Sequence, residues 1–293
     1  MHLTAFPVLL PFLGAVIVLI PWFNKRIAQQ RLVAQLFLLG TLAVSIVLFT
    51  QTMGEGAQGY AMGEWEAPFG IFLIADPLAG FMLILAAVLA LASHLYACGG
   101  DDQTGKFFHP LFLFQLMGIN GAFLTADAFN LFVFFEILLI ASYSLLIHGG
   151  GKERTRAAQH YVLYNLIGSA FFLIALAVLY RAYGTLSIPD MAARSSSLPE
   201  ESLPLAKAGG LLLMAVFGIK AALLPLHFWL PRTYSSTSIP VAALFAIMTK
   251  VGVYSLWRVH GTVFGDDAGA VANLGKDALV WLSGATVMIG SVG

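Results

Sequence analysis

The stretch Leu211-Leu-Leu-Met-Ala-Val-Phe-Gly-Ile219-Lys220 brings a charged side chain onto the end of a long apolar run. Two further runs carry a charge: Leu131-Phe-Val-Phe-Phe-Glu136-Ile-Leu-Leu-Ile140 and Val241-Ala-Ala-Leu-Phe-Ala-Ile-Met-Thr-Lys250. Such runs are typical of membrane helices, where a charge at the helix centre costs roughly 2.5–3.5 kcal/mol. That cost is tolerated mainly where the group faces a partner or a water-filled path. The three runs therefore predict a membrane protein that moves protons or ions.

The composition agrees with a membrane protein and excludes several other classes. The chain is 59% hydrophobic and 10% charged, whereas soluble proteins carry about 25% charged residues. Its formal net charge is zero, and no basic block suggests nucleic acid. The single cysteine, Cys98, excludes an intramolecular disulfide and a cysteine-based metal site. The sequence has no phosphate-binding loop, metal-ligand spacing or Ser/His/Asp arrangement, so we expect no cofactor, no metal and no enzymatic active site.

The hydropathy pattern predicts an all-α, polytopic protein of the cell inner (plasma) membrane with about nine transmembrane helices. A spanning helix needs about 20 apolar residues. The first apolar run has no basic segment before it and no cleavage site, so it indicates a retained span. The last run ends without a polar tail, which favours a fragment or a truncated product. The predicted spans are Leu3–Trp22, Leu32–Gln51, Ile71–Ala97, Phe107–Thr125, Asn130–His148, Tyr161–Ala182, Leu205–Leu226, Ile239–Val259 and Leu274–Gly293.

The charges of the loops predict the orientation. Bases outnumber acids in the odd-numbered loops, and acids outnumber bases in the even-numbered loops. Because cytoplasmic loops carry the excess of Lys and Arg, the N-terminus is predicted to lie outside. The bases of the odd-numbered loops are Lys25, Arg26, Arg31, Lys106, Lys152, Arg154, Arg156 and Arg232.

Two connections are long enough to hold structure of their own. Thr52–Gly70, which contains Trp65 and Pro68, is predicted to form a short hairpin on the outer face. Tyr183–Pro204 is rich in serine and proline and is predicted to be an exposed connection.

The three charges are predicted to lie at similar depth. Glu136 is nine residues past Asp127, or about 13 Å into the membrane, and half of the apolar core is about 15 Å. Lys220 stands near the middle of its predicted span, and Lys250 lies about 12 Å before Arg258. We therefore expect the three groups to meet near the midplane.

Two interpretations of this trio are open. In one, Glu136 and one lysine form a static ion pair while the other lysine extends toward the interface. However, a static pair leaves one positive charge over, and an unpaired buried ammonium tends to lose its proton. Two lysines and one glutamate then form a coupled system, in which a proton on one group alters the affinity of the others. The trio Glu136, Lys220 and Lys250 is therefore a candidate proton relay.

Pro225 and His227 add to the case at Lys220. A proline frees a helix carbonyl, so Pro225 predicts a broken helix, although a plain helix end fits equally. Histidine titrates near neutral pH, which suits His227 as a proton-uptake group on the predicted cytoplasmic side, with an ordinary interfacial residue as the alternative. The remaining histidines near the ends of spans are expected to be interfacial: His94, His109, His148, His160 and His260.

Four stretches carry a family pattern: Thr125–Tyr143, Gln159–Ser169, Lys220–Pro231 and Pro240–Arg258. With them the chain resembles the antiporter-like membrane subunits shared by Mrp-type sodium/proton antiporters and respiratory complex I. The resemblance implies a fold of about fourteen spans with two inverted five-helix repeats, each containing a broken helix. Residues 1–106 would form three N-terminal helices, residues 107–260 the first repeat, and residues 261–293 the start of the second.

The resemblance also implies roles for single residues. Glu136 matches the glutamate of the family's fifth span, Lys220 the lysine of the broken seventh span, and Lys250 the lysine of the eighth. In the family these groups carry protons from an inlet half-channel to the central axis. His227 matches the histidine of the loop after the broken helix.

The chain departs from the family in two places. Arg232-Thr-Tyr234 stands where relatives in complex I often have Ala-His, which favours the Mrp branch. By the resemblance, a second repeat and its lysine would be expected after the ninth predicted span, and residues 1–293 offer no counterpart for them.

Three functions follow as expectations. The first is a proton-translocating subunit of a monovalent cation (sodium)/proton antiporter, with other membrane subunits as partners. The alternative is a proton-pumping subunit of complex I or a related quinone oxidoreductase or membrane hydrogenase. In the third, the chain is a scaffold whose charges only hold helices together.

Overall fold

The computed structural model describes residues 2–20, 22, 26–65 and 70–292. The predictions made on Lys25 and Pro68 fall outside these ranges. The helices are α1 (Phe6–Leu19), α2 (Ile27–Glu55), α3 (Pro77–Ala97), α4 (Phe108–Leu124), α5 (Ala128–Leu146), α6 (Lys152–Tyr183), α7 (Ile188–Ser195), α8 (Leu203–Ala221), α9 (Trp229–Ser236), α10 (Ile239–Val263) and α11 (Lys276–Val292). The strands are β1 (Gln58–Ala61) and β2 (Phe72–Ala75).

The helices confirm an all-α, polytopic membrane fold. Within the described ranges, seven helical segments are long and apolar enough to cross a membrane. The segment Phe108–Leu124 is apolar but shorter, so the predicted number of nine spans is not confirmed. The seven segments are His2–Leu19, Ile27–Glu55, Pro77–Ala97, Ala128–Leu146, Lys152–Tyr183, Glu200–Ala221 and Ile239–Val263.

The two strands form the predicted hairpin. β1 pairs antiparallel with β2, with Gln58 opposite Ala75 and Ala61 opposite Phe72. The second strand begins after Gly70, beyond the segment that the sequence had indicated. The carbonyl of Phe72 accepts a hydrogen bond from the Ala126 amide at 2.9 Å, which ties the hairpin to the turn between α4 and α5.

The connection between α6 and α8 is more ordered than expected. The prediction of an exposed connection at Tyr183–Pro204 is wrong, because α7 lies within it and buries Ile188 and Met191. Ser195, at the end of α7, is 1% exposed and donates to the carbonyl of Val263 at 2.7 Å. Ser195 is thus bound to the end of α10, whereas Ser196 and Ser197 are exposed as predicted.

Glycines set the closest helix contacts. A Cβ built on Gly118 of α4 would lie 2.7 Å from the backbone nitrogen of Leu138 on α5. A Cβ on Gly252 of α10 would lie 2.7 Å from the carbonyl carbon of Lys220 at the end of α8. Real Cβ atoms do not approach so closely, so glycine is required for these backbones to touch.

The predicted break after Lys220 is present, but it begins before Pro225. α8 ends at Ala221, and Ala222 adopts a left-handed conformation with φ 55° and ψ 43°. The Leu223 amide then donates to the Gly218 carbonyl at 2.9 Å, which closes the helix end in the manner of a C-cap. The Trp229 indole donates to the Ile219 carbonyl at 2.9 Å. Lys220 therefore lies in the last turn of its helix rather than in the middle of a continuous span.

Candidate functional site

Glu136 lies near the middle of α5, as the sequence predicted, with a half-buried side chain. Its Oε1 accepts a short hydrogen bond from the hydroxyl of Ser169 on α6. Ser169 is 5% exposed, so this bond lies inside the helix bundle. Glu136 is thus joined to its neighbouring helix through a hydroxyl.

Lys220 is buried between helices, with 4% of its surface exposed. Its ammonium donates to the Ser169 hydroxyl at 3.3 Å and to Asn165 twice, at 3.4 Å to the backbone oxygen and 3.4 Å to Oδ1. The ammonium also lies 5.9 Å from the centre of the Phe135 ring, within the range of a cation–π contact.

Glu136 and Lys220 are connected without touching. Within the described residues, Lys220 forms no ion pair with a carboxylate; Ser169 stands between the two groups and bonds to both. The serine accepts from the ammonium and donates to the carboxylate, so the three groups form one directed hydrogen-bond chain. A hydroxyl can pass a proton in this arrangement by giving up its own while it accepts another.

Lys250 is not joined to this chain. It lies in the middle of α10 with an exposed side chain, and its ammonium donates to the neighbouring Thr249 hydroxyl at 3.4 Å. No hydrogen bond or ion pair links Lys250 to Glu136 or Lys220 in the part of the chain that the structure describes. The connection between the lysines is through backbone, where Gly252 of α10 lies against Lys220.

His227 lies in the segment that separates α8 from α9. Its ring is half-buried and stacks on Phe228, with ring centres 4.8 Å apart. Its Nδ1 is buried and has no hydrogen-bond partner among the described residues. The structure records no hydrogen bond from this ring to Lys220.

A second buried polar group was not predicted from the sequence. Asp102, in the turn after α3, is fully buried and accepts two hydrogen bonds from Arg31, at 2.6 and 2.8 Å. His109 Nε2 lies 3.3 Å from Asp102, and His109 Nδ1 lies 2.9 Å from His94 Nε2. His94 and His109 lie at the ends of their helices, as expected, but their side chains are at most 1% exposed; their depth at the membrane interface stays a prediction.

Cys98 lies beside His94 in this buried polar group. Its sulfur lies 3.9 Å from His94 Nδ1 and accepts from Gln35 at 3.7 Å. Burial, reinforced by the nearby Asp102 carboxylate, raises the pKa of the Cys98 thiol. In the described ranges, no group of three or more histidine, cysteine or acidic residues could hold a metal ion. We name the set Arg31, Asp102, His109, His94 and Cys98 the histidine cluster.

Comparison with known proteins shows which family the chain belongs to. The family model described as "NADH:quinone oxidoreductase/Mrp antiporter, TM" matches residues 125–293, more than half of the chain. The chain belongs to this family. The matched region contains all three charges in apolar runs, together with Ser169, Asn165 and the broken helix.

Curated members of the NADH:quinone oxidoreductase/Mrp antiporter family match over nearly the whole chain. The D subunit of a probable K⁺/H⁺ antiporter of Rhizobium meliloti is 42% identical over 100% of this chain and 55% of its own length. The D subunit of the Na⁺/H⁺ antiporter of Alkalihalophilus pseudofirmus is 37% identical over 100% of this chain and 58% of its own length. The D subunit of the Na⁺/H⁺ antiporter of Bacillus subtilis is 35% identical over 98% of this chain and 57% of its own length. The chain therefore spans little more than half the length of these relatives.

Solved structures of the family share the fold. A chain of the Mrp complex from Dietzia sp. DQ12-45-1b matches with a TM-score of 0.82 and 27% identity, over 90% of this chain and 49% of that one. A chain of a membrane-bound sulfane sulfur reductase, an archaeal respiratory membrane complex, matches with a TM-score of 0.85 and 26% identity, over 96% and 57%. Respiratory complex I from Thermus thermophilus matches with a TM-score of 0.76 at 24% identity, which supports the fold alone.

Proposed function

We propose that this chain is a proton-translocating membrane subunit of a multisubunit monovalent cation/proton antiporter, with Glu136, Lys220 and Lys250 as its proton relay. The observation that carries the proposal is the Ser169 hydroxyl, which is hydrogen-bonded at once to Glu136 and Lys220. The resemblance to the D subunits of antiporters supports the antiporter assignment, with sodium as the cation we expect and the other subunits of the complex as partners.

The hydroxyl bridge allows one balanced proton step. The Lys220 ammonium gives a proton to the Ser169 oxygen while Ser169 gives its own proton to Glu136. The products are a neutral amine, an intact serine and a protonated carboxyl group. Because Ser169 keeps the charges one hydroxyl apart, each can change protonation state without first breaking an ion pair.

Lys250 and His227 are proposed as the neighbouring stations. Lys250 lies on the helix whose backbone touches Lys220, so a shift of α10 would change the distance between the two ammonium groups. The buried Nδ1 of His227 has no hydrogen-bond partner among the described residues, which supports a place for this ring beside the broken helix in the relay. In this proposal protons come in at His227 and reach Lys220, which exchanges a proton with Glu136 through Ser169 and passes it on toward Lys250.

The test uses the complete antiporter complex in inside-out vesicles. We expect Glu136→Gln and Lys220→Met each to lower cation-dependent proton efflux at least tenfold while the complex still assembles. Lys207→Gln is the matched control, since Lys207 is an exposed lysine on the same helix. Transport at the unmodified rate in both variants would refute the relay and leave the charges with a role in assembly only.

A second candidate function is a proton-pumping subunit of a redox complex. The match to the archaeal respiratory membrane complex favours it, since it covers as much of this chain as the match to the Mrp complex does. Purification of the native complex decides between the two. Quinone- or sulfur-reducing activity in that complex would support the redox function, and cation/proton exchange without such activity would support the antiporter.

The proposed orientation has the N-terminus outside a plasma membrane. Its support is the excess of bases in the odd-numbered loops. Alkaline phosphatase fused after Lys152 should be inactive and a fusion after Arg194 should be active. The opposite result would invert the proposed topology.

A further inference from the structure

The helix α6 carries a polar stripe through an apolar helix. Tyr161, Asn165 and Ser169 follow one another at intervals of four residues, so they lie along one face. They are 0%, 1% and 5% exposed. They belong to the family stretch Gln159–Ser169, whose side chains received no role in the predictions from sequence.

The side-chain amide of Asn165 has only one favourable orientation. Its Nδ2 donates to the Tyr161 carbonyl at 3.0 Å, and its Oδ1 accepts from Lys220 at 3.4 Å. If the amide were flipped, its NH₂ would face the ammonium and its oxygen would face a carbonyl, and both contacts would be repulsive. Tyr161 therefore fixes the Asn165 oxygen toward Lys220.

The acceptors around Lys220 match the chemistry of an ammonium group. An ammonium has three N–H donors and no acceptor. Asn165 supplies two oxygens and Ser169 supplies the third, and all three are uncharged. Neutral acceptors repay part of the cost of burying the charge, but they hold a proton less firmly than a carboxylate would.

Few other charges face this part of α8. Glu136 reaches Lys220 only through Ser169, and His260 bonds through Nε2 to the Gly210 carbonyl, nearer the start of α8. The titratable groups on the nearby parts of the elements packed around α8 are Glu136 and Tyr143 on α5, His160, Tyr161 and Tyr164 on α6, Arg232 and Tyr234 on α9, Lys250, Tyr254, Arg258 and His260 on α10, and His227 in the segment before α9.

We propose that Asn165 is a positioning residue that holds the Lys220 ammonium with uncharged oxygens and thereby keeps the proton of Lys220 releasable. The inference rests on the proposed relay. The neutral amide of Asn165 accepts a hydrogen bond from the ammonium and so positions it without forming an ion pair. In this proposal the polar stripe on α6 keeps its position while Lys220 gains and loses its proton.

The test compares pH profiles of antiport in inside-out vesicles that carry the complete complex. Asn165→Asp places a carboxylate on the ammonium, so the midpoint of the pH profile should rise by about 1–3 units. Asn165→Ala removes one acceptor of the charged form, so the midpoint should fall by roughly one unit. Shifts in opposite directions are diagnostic, because a role in packing alone would lower the rate in both variants without moving the midpoint.

The control is Asn120→Asp. Asn120 is a fully buried asparagine on α4 that donates to the Pro7 carbonyl at 2.8 Å and lies outside the relay. This variant should leave the midpoint unchanged, whatever it does to the amount of complex. If Asn165→Asp fails to assemble, Asn165→Ser replaces it: the serine retains an acceptor, so its midpoint should lie above that of Asn165→Ala.

The outcomes distinguish the role of Asn165 from the relay itself. Unmoved midpoints, shifts of both variants in the same direction, or equal midpoints for Asn165→Ser and Asn165→Ala would overturn the role of Asn165. Full antiport in Lys220→Met would overturn the relay itself. Loss of antiport in Lys220→Met, with opposite shifts at Asn165, would support both.

Discussion

Gly252 lies against the backbone of Lys220. A Cβ at Gly252 would come within 2.5 Å of the Ala221 nitrogen and 2.7 Å of the Lys220 carbonyl carbon, so α10 and the end of α8 touch without side chains between them. Both of these neighbouring atoms belong to the backbone, which cannot change rotamer to make room as a side chain can. The position of Lys220 therefore depends on the absence of a single methyl group on the facing helix.

Gly252→Ala should displace Lys220 from its acceptors. Overpacking of this kind costs about 1–3 kcal/mol, and a small outward shift of α8 lengthens bonds that already measure 3.3–3.4 Å. We expect antiport to fall at least tenfold in assembled complex. Gly261→Ala on the same helix is the control, because its Cβ would meet only the Trp257 side chain, at 3.3 Å. Equal activities of the two variants would contradict this interpretation of the contact.

Ser169→Ala should interrupt the link between Glu136 and Lys220. Hydrogen bonds to charged groups contribute about 1.5–3 kcal/mol, which corresponds to a transport rate lowered by roughly 10- to 150-fold if the bridge acts in the rate-limiting step. Ser169→Thr retains the hydroxyl and should recover part of the rate. The measurement is cation-dependent proton efflux at matched levels of complex. Wild-type transport in Ser169→Ala would mean that protons do not pass through this hydroxyl.

Asp102→Asn should lower stability without a specific effect on the pH profile of transport. Asp102 is fully buried and holds Arg31 by two hydrogen bonds. The substitution weakens hydrogen bonds to a charged group, which contribute about 1.5–3 kcal/mol, and the Arg31 side chain, which is 25% exposed, can be solvated in their place. We expect a clear drop in the thermal midpoint of the detergent-purified complex. The control is Asp101→Asn, since Asp101 is the adjacent carboxylate and forms no ion pair in the described structure; its effect should be within about 0.5 kcal/mol.

Asp76 should stabilise the protein in a defined pH range. Burial alone would raise the pKa of its carboxyl group, but hydrogen bonds from Arg258 and from the Ala79 amide outweigh it and lower that pKa below 3.8. A carboxyl group with a lowered pKa stabilises the folded state above its ordinary pKa and loses this contribution as the pH falls through the lowered value. The difference in thermal midpoint between wild type and Asp76→Asn should be constant above about pH 5 and shrink below about pH 3.8. A difference that grows toward acid pH would contradict the assignment.

The charges that mattered most could be predicted from the sequence. Glu136 and Lys220 stood out because a charge in an apolar run is costly, and the structure joins them through one hydroxyl. The bridge itself was not predicted. Serine and asparagine also occur in membrane helices as ordinary packing and hydrogen-bonding residues, so Ser169 and Asn165 do not by themselves indicate a relay. Their spacing of four residues, continued by Tyr161, was the available signal.

Other features depended on tertiary contacts. The break was expected at Pro225, but the chain turns at Ala222, and alanine in a left-handed conformation has no sequence signature. Lys250 lies at the centre of its helix as predicted, yet periodicity did not tell which way that face of α10 points. The histidine cluster unites residues from α2, α3, α4 and a turn, and no local pattern indicates such a meeting.

Protein groups bond to several of the backbone atoms at the break in the helix. The carbonyls of Gly218 and Ile219 are bonded by the Leu223 amide and the Trp229 indole, and the Leu224 amide donates to the Thr286 hydroxyl on α11 at 3.0 Å. Because these backbone groups are hydrogen-bonded within the protein, the bend can persist in the membrane interior without water bound to them.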